Sequence, residues 1–158
     1  MNAKMAELRR CFESAGFTNV KTVLSSGNVV FDTRSKSETA LARDIERAMD
    51  RQLKRTFYTI VRPVSRLHEL IESDPFAKFR LPANAKRVVT FLAEPHKANL
   101  SLPLERDGVR ILTMSEREVF TDYVPHPKGA VFMMLIEKTF GVKVTTRTWD
   151  TVKKCSAA

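Results

Sequence analysis

Long apolar runs are missing from this chain. The longest, Ala130 to Ile136, is seven residues, far short of the twenty or so that a bilayer-crossing helix needs. Residues 1–15 also lack the charged-then-apolar pattern of a leader. Cysteine is nearly absent: Cys11 and Cys155 are the only two. At opposite ends of the chain they cannot form a CxxC redox pair or a thiolate knuckle, and they fit a reducing, cytoplasmic setting. Histidine is as sparse. His68, His96 and His126 are widely separated, with no carboxylate or cysteine at ligand spacing, so neither a metal nor another cofactor is expected. No general-base partner accompanies His126, and no Ser–His–Asp set is marked out by spacing.

What remains is ordinary globular material. Of 158 residues, 43% are hydrophobic and 28% charged, enough for one compact unit or two small halves and too apolar for bulk disorder. The formal charge is +9. Residues 1–63 hold 12 basic and 7 acidic groups, residues 64–86 hold 4 and 3, and residues 87–158 hold 11 and 8. Along the chain the excess is therefore spread through folded segments. A field of this sign attracts phosphates without specifying nucleic acid.

Periodicity divides the chain into an N-terminal half, 1–63, a helix and linker, 64–86, and a C-terminal half, 87–158. Met5, Leu8, Phe12 and Ala15 recur at helical spacing and predict a helix from Lys4 to Ala15. Gly16 suits its left-handed end, with Phe17 folding back onto Phe12. Strands follow at Val20–Leu24 and Asn28–Asp32, around a Ser26-Gly27 turn. Ser37 caps a helix to about Lys54 that turns Leu41, Ile45, Ala48, Met49 and Leu53 inward. Phe57–Val61 is predicted as a strand stopped by Pro63. A helix over Ser65–Ser73 leads to a linker, Phe76–Lys86.

In the second half the prediction is strand Arg87–Ala93, a helical or irregular turn after Pro95, then strands Val109–Met114 and Glu118–Val124. A loop with Pro125, His126, Pro127, Lys128 and Gly129 precedes helix Ala130–Phe140, strand Lys143–Thr146 and a last helix from Thr148. The order is β-α-β-β-α-β, and the first half repeats it without an opening strand. The predicted fold class is α+β: two tandem ferredoxin-like α/β plaits, the first missing its opening strand.

Three segments carry a family resemblance: Gly16-Phe17 through Phe31, Asp74-Pro75-Phe76 with Val88–Leu92, and Thr145-Thr146-Arg147-Thr148-Trp149-Asp150-Thr151-Val152. Together they resemble the bacterial family known as domain of unknown function 1697. The resemblance implies the same plait architecture and no established activity. Thr148 and Asp150 stand where that family usually has asparagine, and both still suit a helix cap. Its members usually open with a hydrophobic strand and a glycine-containing segment that Met1 to Lys4 do not match. The expectation is either that the chain starts late or that something else fills the central slot. A neighbouring copy filling it would make a homodimer.

Ser25, Ser26, Gly27 and Asn28 have the composition of an anion nest, and, more commonly, of a plain hairpin turn. A strand follows them, so they are not a nucleophile elbow. Arg147 is placed to clamp an anion beside a helix start, with Trp149 as a stacking face; alternatively Arg147 pairs with a carboxylate and Trp149 anchors the core. Arg43, Arg47, Arg51 and Arg55 form a ridge that could follow a phosphate backbone, although Glu46 and Asp50 interleave with it. The central strands lack the glycine-aromatic consensus of RNA-binding plaits. The leading function is a small module binding a phosphate- or carboxylate-bearing ligand through Ser25–Asn28, Arg147 and Trp149. Catalysis of unknown type and self-association are the alternatives. Nucleic acid is a partner on charge alone, and no membrane is expected.

Overall fold

The computed structural model describes residues 3–96, 99–126 and 130–158. Within it the chain forms two compact units. One runs up to His68 and includes Lys153–Ala158; the other is Glu69–Val152.

The first unit is two helices on a hairpin. Helix α1, Met5–Ser14, buries Leu8, Cys11 and Phe12. Gly16 ends it at φ +98°, a conformation that costs glycine nothing. The Phe17 ring lies 5.8 Å from Phe12, and the Phe17 amide donates to the Phe12 carbonyl. Strands β1, Thr18–Val23, and β2, Asn28–Asp32, pair antiparallel, with an irregularity between Thr18 and Lys21. Helix α2, Glu38–Leu53, begins where the Ser37 hydroxyl accepts from the Ala40 amide, and ends at Lys54 in the left-handed region. Its buried residues, Leu41, Ile45, Ala48 and Met49, join Leu8, Phe12, Phe17 and Val20 in one core. Helix α3, Val64–Ser73, starts in this unit. The last turns of the chain belong to it too, and a His68 ring nitrogen lies 2.9 Å from the Ser156 carbonyl oxygen.

Phe57–Val61 is not a strand: the sheet of this unit has two strands, β1 and β2. Strand propensity describes side chains that fit a pleated, half-buried surface, and a ladder needs a neighbour to pair with. The segment keeps the burial side of that pattern, because Phe57 and Val61 still pack against the core.

The second unit holds a five-stranded antiparallel sheet in the order β4-β5-β6-β3-β7. Its strands are β3, Lys86–Leu92, β4, Leu104–Arg106, β5, Val109–Met114, β6, Glu118–Tyr123, and β7, Val144–Thr148. Helix α4, Val131–Phe140, packs Phe132, Leu135 and Ile136 onto Val88, Leu92, Ile111 and Val119. Side chains alternate between the faces of a strand, so Arg87, Val89 and Phe91 project to the other face. Phe76 lies there, edge-on to Phe120 and to Trp149. Trp149 opens helix α5, Trp149–Ala157. No helix follows Pro95 among the described residues. Pro127, Lys128 and Gly129 of the predicted loop lie outside them.

Strand β4 was not expected, although a signal for it is present. Asp107 and Gly108 link β4 to β5 with both φ values positive, +51° and +83°. This is the arrangement that favours Asp-Gly in a two-residue hairpin whose twist matches its strands. Among the described residues a Cβ at position 108 would meet the Val124 carbonyl oxygen alone, at an ordinary 3.8 Å. The penalty for a side chain there is therefore conformational. Gly108→Ala is expected to lower stability by about 1 kcal/mol, measured as the shift in urea midpoint; an unchanged midpoint would contradict the turn assignment.

Candidate anion site

The Asn28 side chain ties the turn between β1 and β2. The Asn28 amide nitrogen donates to the Val23 carbonyl at 3.0 Å and to the Ser26 hydroxyl at 2.8 Å, so it spans the mouth of the loop and fixes its tip. The backbone is in the positive-φ region at Leu24, +60°, and Gly27, +91°. Ser25 and Ser26 are exposed. Neither Ser25 nor Gly27 forms a hydrogen bond with any described residue. The loop thus has its shape set from within, with Ser25 exposed at its tip.

Arg147 and Trp149 belong to the other unit. Arg147 lies on β7 opposite Val89, and its guanidinium donates to the Thr146 carbonyl at 2.8 Å. Trp149 is 2% exposed, with its ring 5.2 Å from Phe76. Its faces are taken up by the core, which matches the anchoring alternative rather than a stacking platform. The hydroxyl cap expected from Thr148 is present: it accepts from the Thr151 amide at 3.2 Å.

The remaining candidates separate by partner. Asp44 interleaves with the arginine ridge, bound to Lys36 at 2.9 Å and 3.9 Å from Arg47. The Lys36 hydrogen bond, reinforced by the charges of Lys36 and Arg47, holds the Asp44 carboxyl below its usual range. Asp50 accepts from the Thr56 hydroxyl at 3.5 Å. Burial pushes the Cys11 thiol up and keeps it in its unreactive protonated form. Among the described residues no group of three His, Cys, Asp or Glu side chains is placed to hold a metal. Among the described residues no helix is long and apolar enough to cross a membrane.

Sequence reasoning missed a two-bond ion pair. Arg110 on β5 grips Asp122 on β6 through two bonds, Nε to Oδ1 at 2.9 Å and a terminal nitrogen to Oδ2 at 2.8 Å. That same nitrogen donates to the Arg80 carbonyl at 3.0 Å. A charged residue inside a predicted strand, facing another across a hairpin, was the available signal.

The profile of the family described as "Protein of unknown function (DUF1697)" matches residues 1–120. The chain belongs to that family. The match takes in the Gly16–Phe31 segment, the Asp74-Pro75-Phe76 segment and β3, and stops before the Thr145–Val152 segment. No curated protein and no solved structure matches. Membership of DUF1697 brings no activity with it, so a functional reading has to rest on the side chains and backbone described above.

Proposed function

We propose that this DUF1697 protein is a binding module for a small ligand bearing a phosphate or carboxylate, held at the Ser25–Asn28 turn. The observation that carries the reading is the pair of unbonded residues, Ser25 and Gly27, in a loop whose shape Asn28 already fixes. Donors fixed before binding lose little freedom when an anion arrives, and amides turned together by a positive-φ residue form a concavity of the right sign. The proposal rests on the turn alone; a buried Trp149 and an Arg147 bonded to its own strand add no support to it.

The test is titration of inorganic phosphate into isotope-labelled protein, following backbone amide resonances. Saturable shifts at Ser25 and Gly27 are expected. Asn28→Ala, which releases the loop, should weaken them at least several-fold. Resonances that do not move at millimolar phosphate, or move equally in the variant, would overturn the reading.

Two ferredoxin-like plaits are also part of the proposal. In the second unit, support comes from the antiparallel order β5-β6-β3-β7, which is the order a plait gives its second, third, first and fourth strands, with α4 as the second crossover. Strand β4 would then be an added edge. In the first unit, support comes from two helices packed on one face of a hairpin.

A further inference from the structure

We propose that the first unit carries a second, extended surface for single-stranded nucleic acid, centred on the outer ridge of α2 and the exposed ring of Tyr58. The charge of the chain is not shared evenly between its units. Residues 1–68 and 153–158 contain 15 Lys and Arg against 7 Asp and Glu, whereas residues 69–152 contain 12 against 11. Eight of the nine net charges therefore sit on the first unit. Linear segments hide this, because Lys153 and Lys154 return to that unit at the end of α5.

The carboxylates of the first unit are largely engaged, and many of its cations are not. Asp44 is bound to Lys36, Glu13 lies against Arg9, Asp32 accepts from Asn19 and Asp50 accepts from Thr56. The side chains of Arg10, Lys21, Arg34, Arg43, Arg51 and Lys54 form no hydrogen bond or ion pair with any described residue. Arg47, its side chain 70% exposed, has Asp44 only at 3.9 Å.

Geometry selects α2 as the centre. Arg43, Arg47 and Arg51 repeat every fourth residue, which sets them about 6 Å apart along the axis. That is a row suited to consecutive phosphates on an extended strand. Asp50 lies on the same side, and its bond to Thr56 brings the chain after Lys54 back beside the last turn of α2. In that returning segment Phe57 and Val61 pack inward while Tyr58 is 44% exposed. An exposed ring on the segment that returns to a helix carrying a row of guanidiniums offers the two components, stacking and charge, by which single strands are held without base readout.

A lipid surface fits less well, since Leu41, Ile45, Ala48 and Met49 of α2 are all buried and leave no apolar face to insert. The covered sheet face of the second unit, with Phe120 beneath Phe76, is not the surface in question. This surface is independent of the Ser25–Asn28 turn.

The experiment is fluorescence anisotropy with labelled oligo(dT), oligo(U) and a DNA duplex over a range of salt. Micromolar binding of the single strands is expected at low salt, weakening steeply as salt rises. The triple variant Arg43→Gln/Arg47→Gln/Arg51→Gln should reduce the magnitude of the salt slope by about 2, at roughly 0.7 for each single-strand phosphate that is no longer neutralised. Tyr58→Ala should weaken single-strand binding about tenfold with the slope unchanged. Circular dichroism establishes that the variants are folded. The control Lys138→Gln/Lys143→Gln/Lys78→Gln removes the same charge from the second unit and should not alter binding. No binding of either oligonucleotide at low salt overturns the proposal. So does equal loss in the second-unit control, tighter binding of the duplex than of single strands, or a Tyr58→Ala variant that binds normally.

Discussion

Trp149→Ala is expected to lower the unfolding free energy by about 3–5 kcal/mol, the usual cost of truncating a large buried aromatic side chain. The residue is 2% exposed and packs edge-on against Phe76 at 5.2 Å. Phe76 in turn meets Phe120 at 5.9 Å and lies under the Arg87 guanidinium. Removing the indole opens a cavity between rings fixed by a strand on one side and a helix start on the other, and such a site relaxes little. Trp149→Phe keeps an aromatic edge for Phe76 and should lose less than half as much. Both are measured by circular dichroism in urea, because this tryptophan is the only one in the chain and fluorescence would lose its reporter. At this chain length the alanine variant should melt about 10 °C lower. A loss below about 1 kcal/mol would mean that the ring is not part of the core.

The same residue shows what could be read from the sequence. Trp149 beside Arg147 supports two meanings, a stacking face or a core anchor, and residue type alone cannot separate them because an indole serves both. Burial separates them. Helical residues were easier: Leu41, Ile45, Ala48 and Met49 lie at 3.6-residue spacing and are all buried, since one apolar stripe on a helix has only one way to leave water. Strand β5 begins and ends where its pattern does, at Val109 and Met114. Phe57–Val61 differs because a strand is a relation between two segments. Its alternation predicts which side chains are inward and is silent about a partner, and the two-stranded sheet provides none. β4 was overlooked because three residues give no period to read, although the Asp107-Gly108 turn marks it. Charge behaved in the same way. The excess looks dispersed along the chain and concentrates once the C-terminal turns are placed with the first unit. Of the candidate site, the turn residues Ser25 to Asn28 were legible because each suits that conformation locally. The Arg110–Asp122 pair was not, being set by strand register.

That pair is the basis of the second large effect. Asp122→Ala is expected to cost about 3–5 kcal/mol, the range for removing one member of a buried ion pair. Asp122 is 2% exposed, and its carboxylate satisfies two guanidinium donors of Arg110. In its absence Arg110 keeps the Arg80 carbonyl and the Glu105 charge across the β4–β5 hairpin, and is otherwise left partly desolvated without its bidentate partner. The penalty comes from that stranded cation more than from the intrinsic strength of the bond, which makes a definite pattern across variants. Arg110→Leu should be costly too, since it strands the carboxylate instead. Asp122→Asn retains the outline and one acceptor, so its loss should be intermediate. The double variant Arg110→Leu/Asp122→Leu, which removes both charges and fills the space with apolar atoms, should recover most of either single loss. A double-mutant cycle in urea measures that recovery as a coupling energy. Single variants that each cost under about 1 kcal/mol, or losses that simply add in the double variant, would show that the two strands are held in register without this pair.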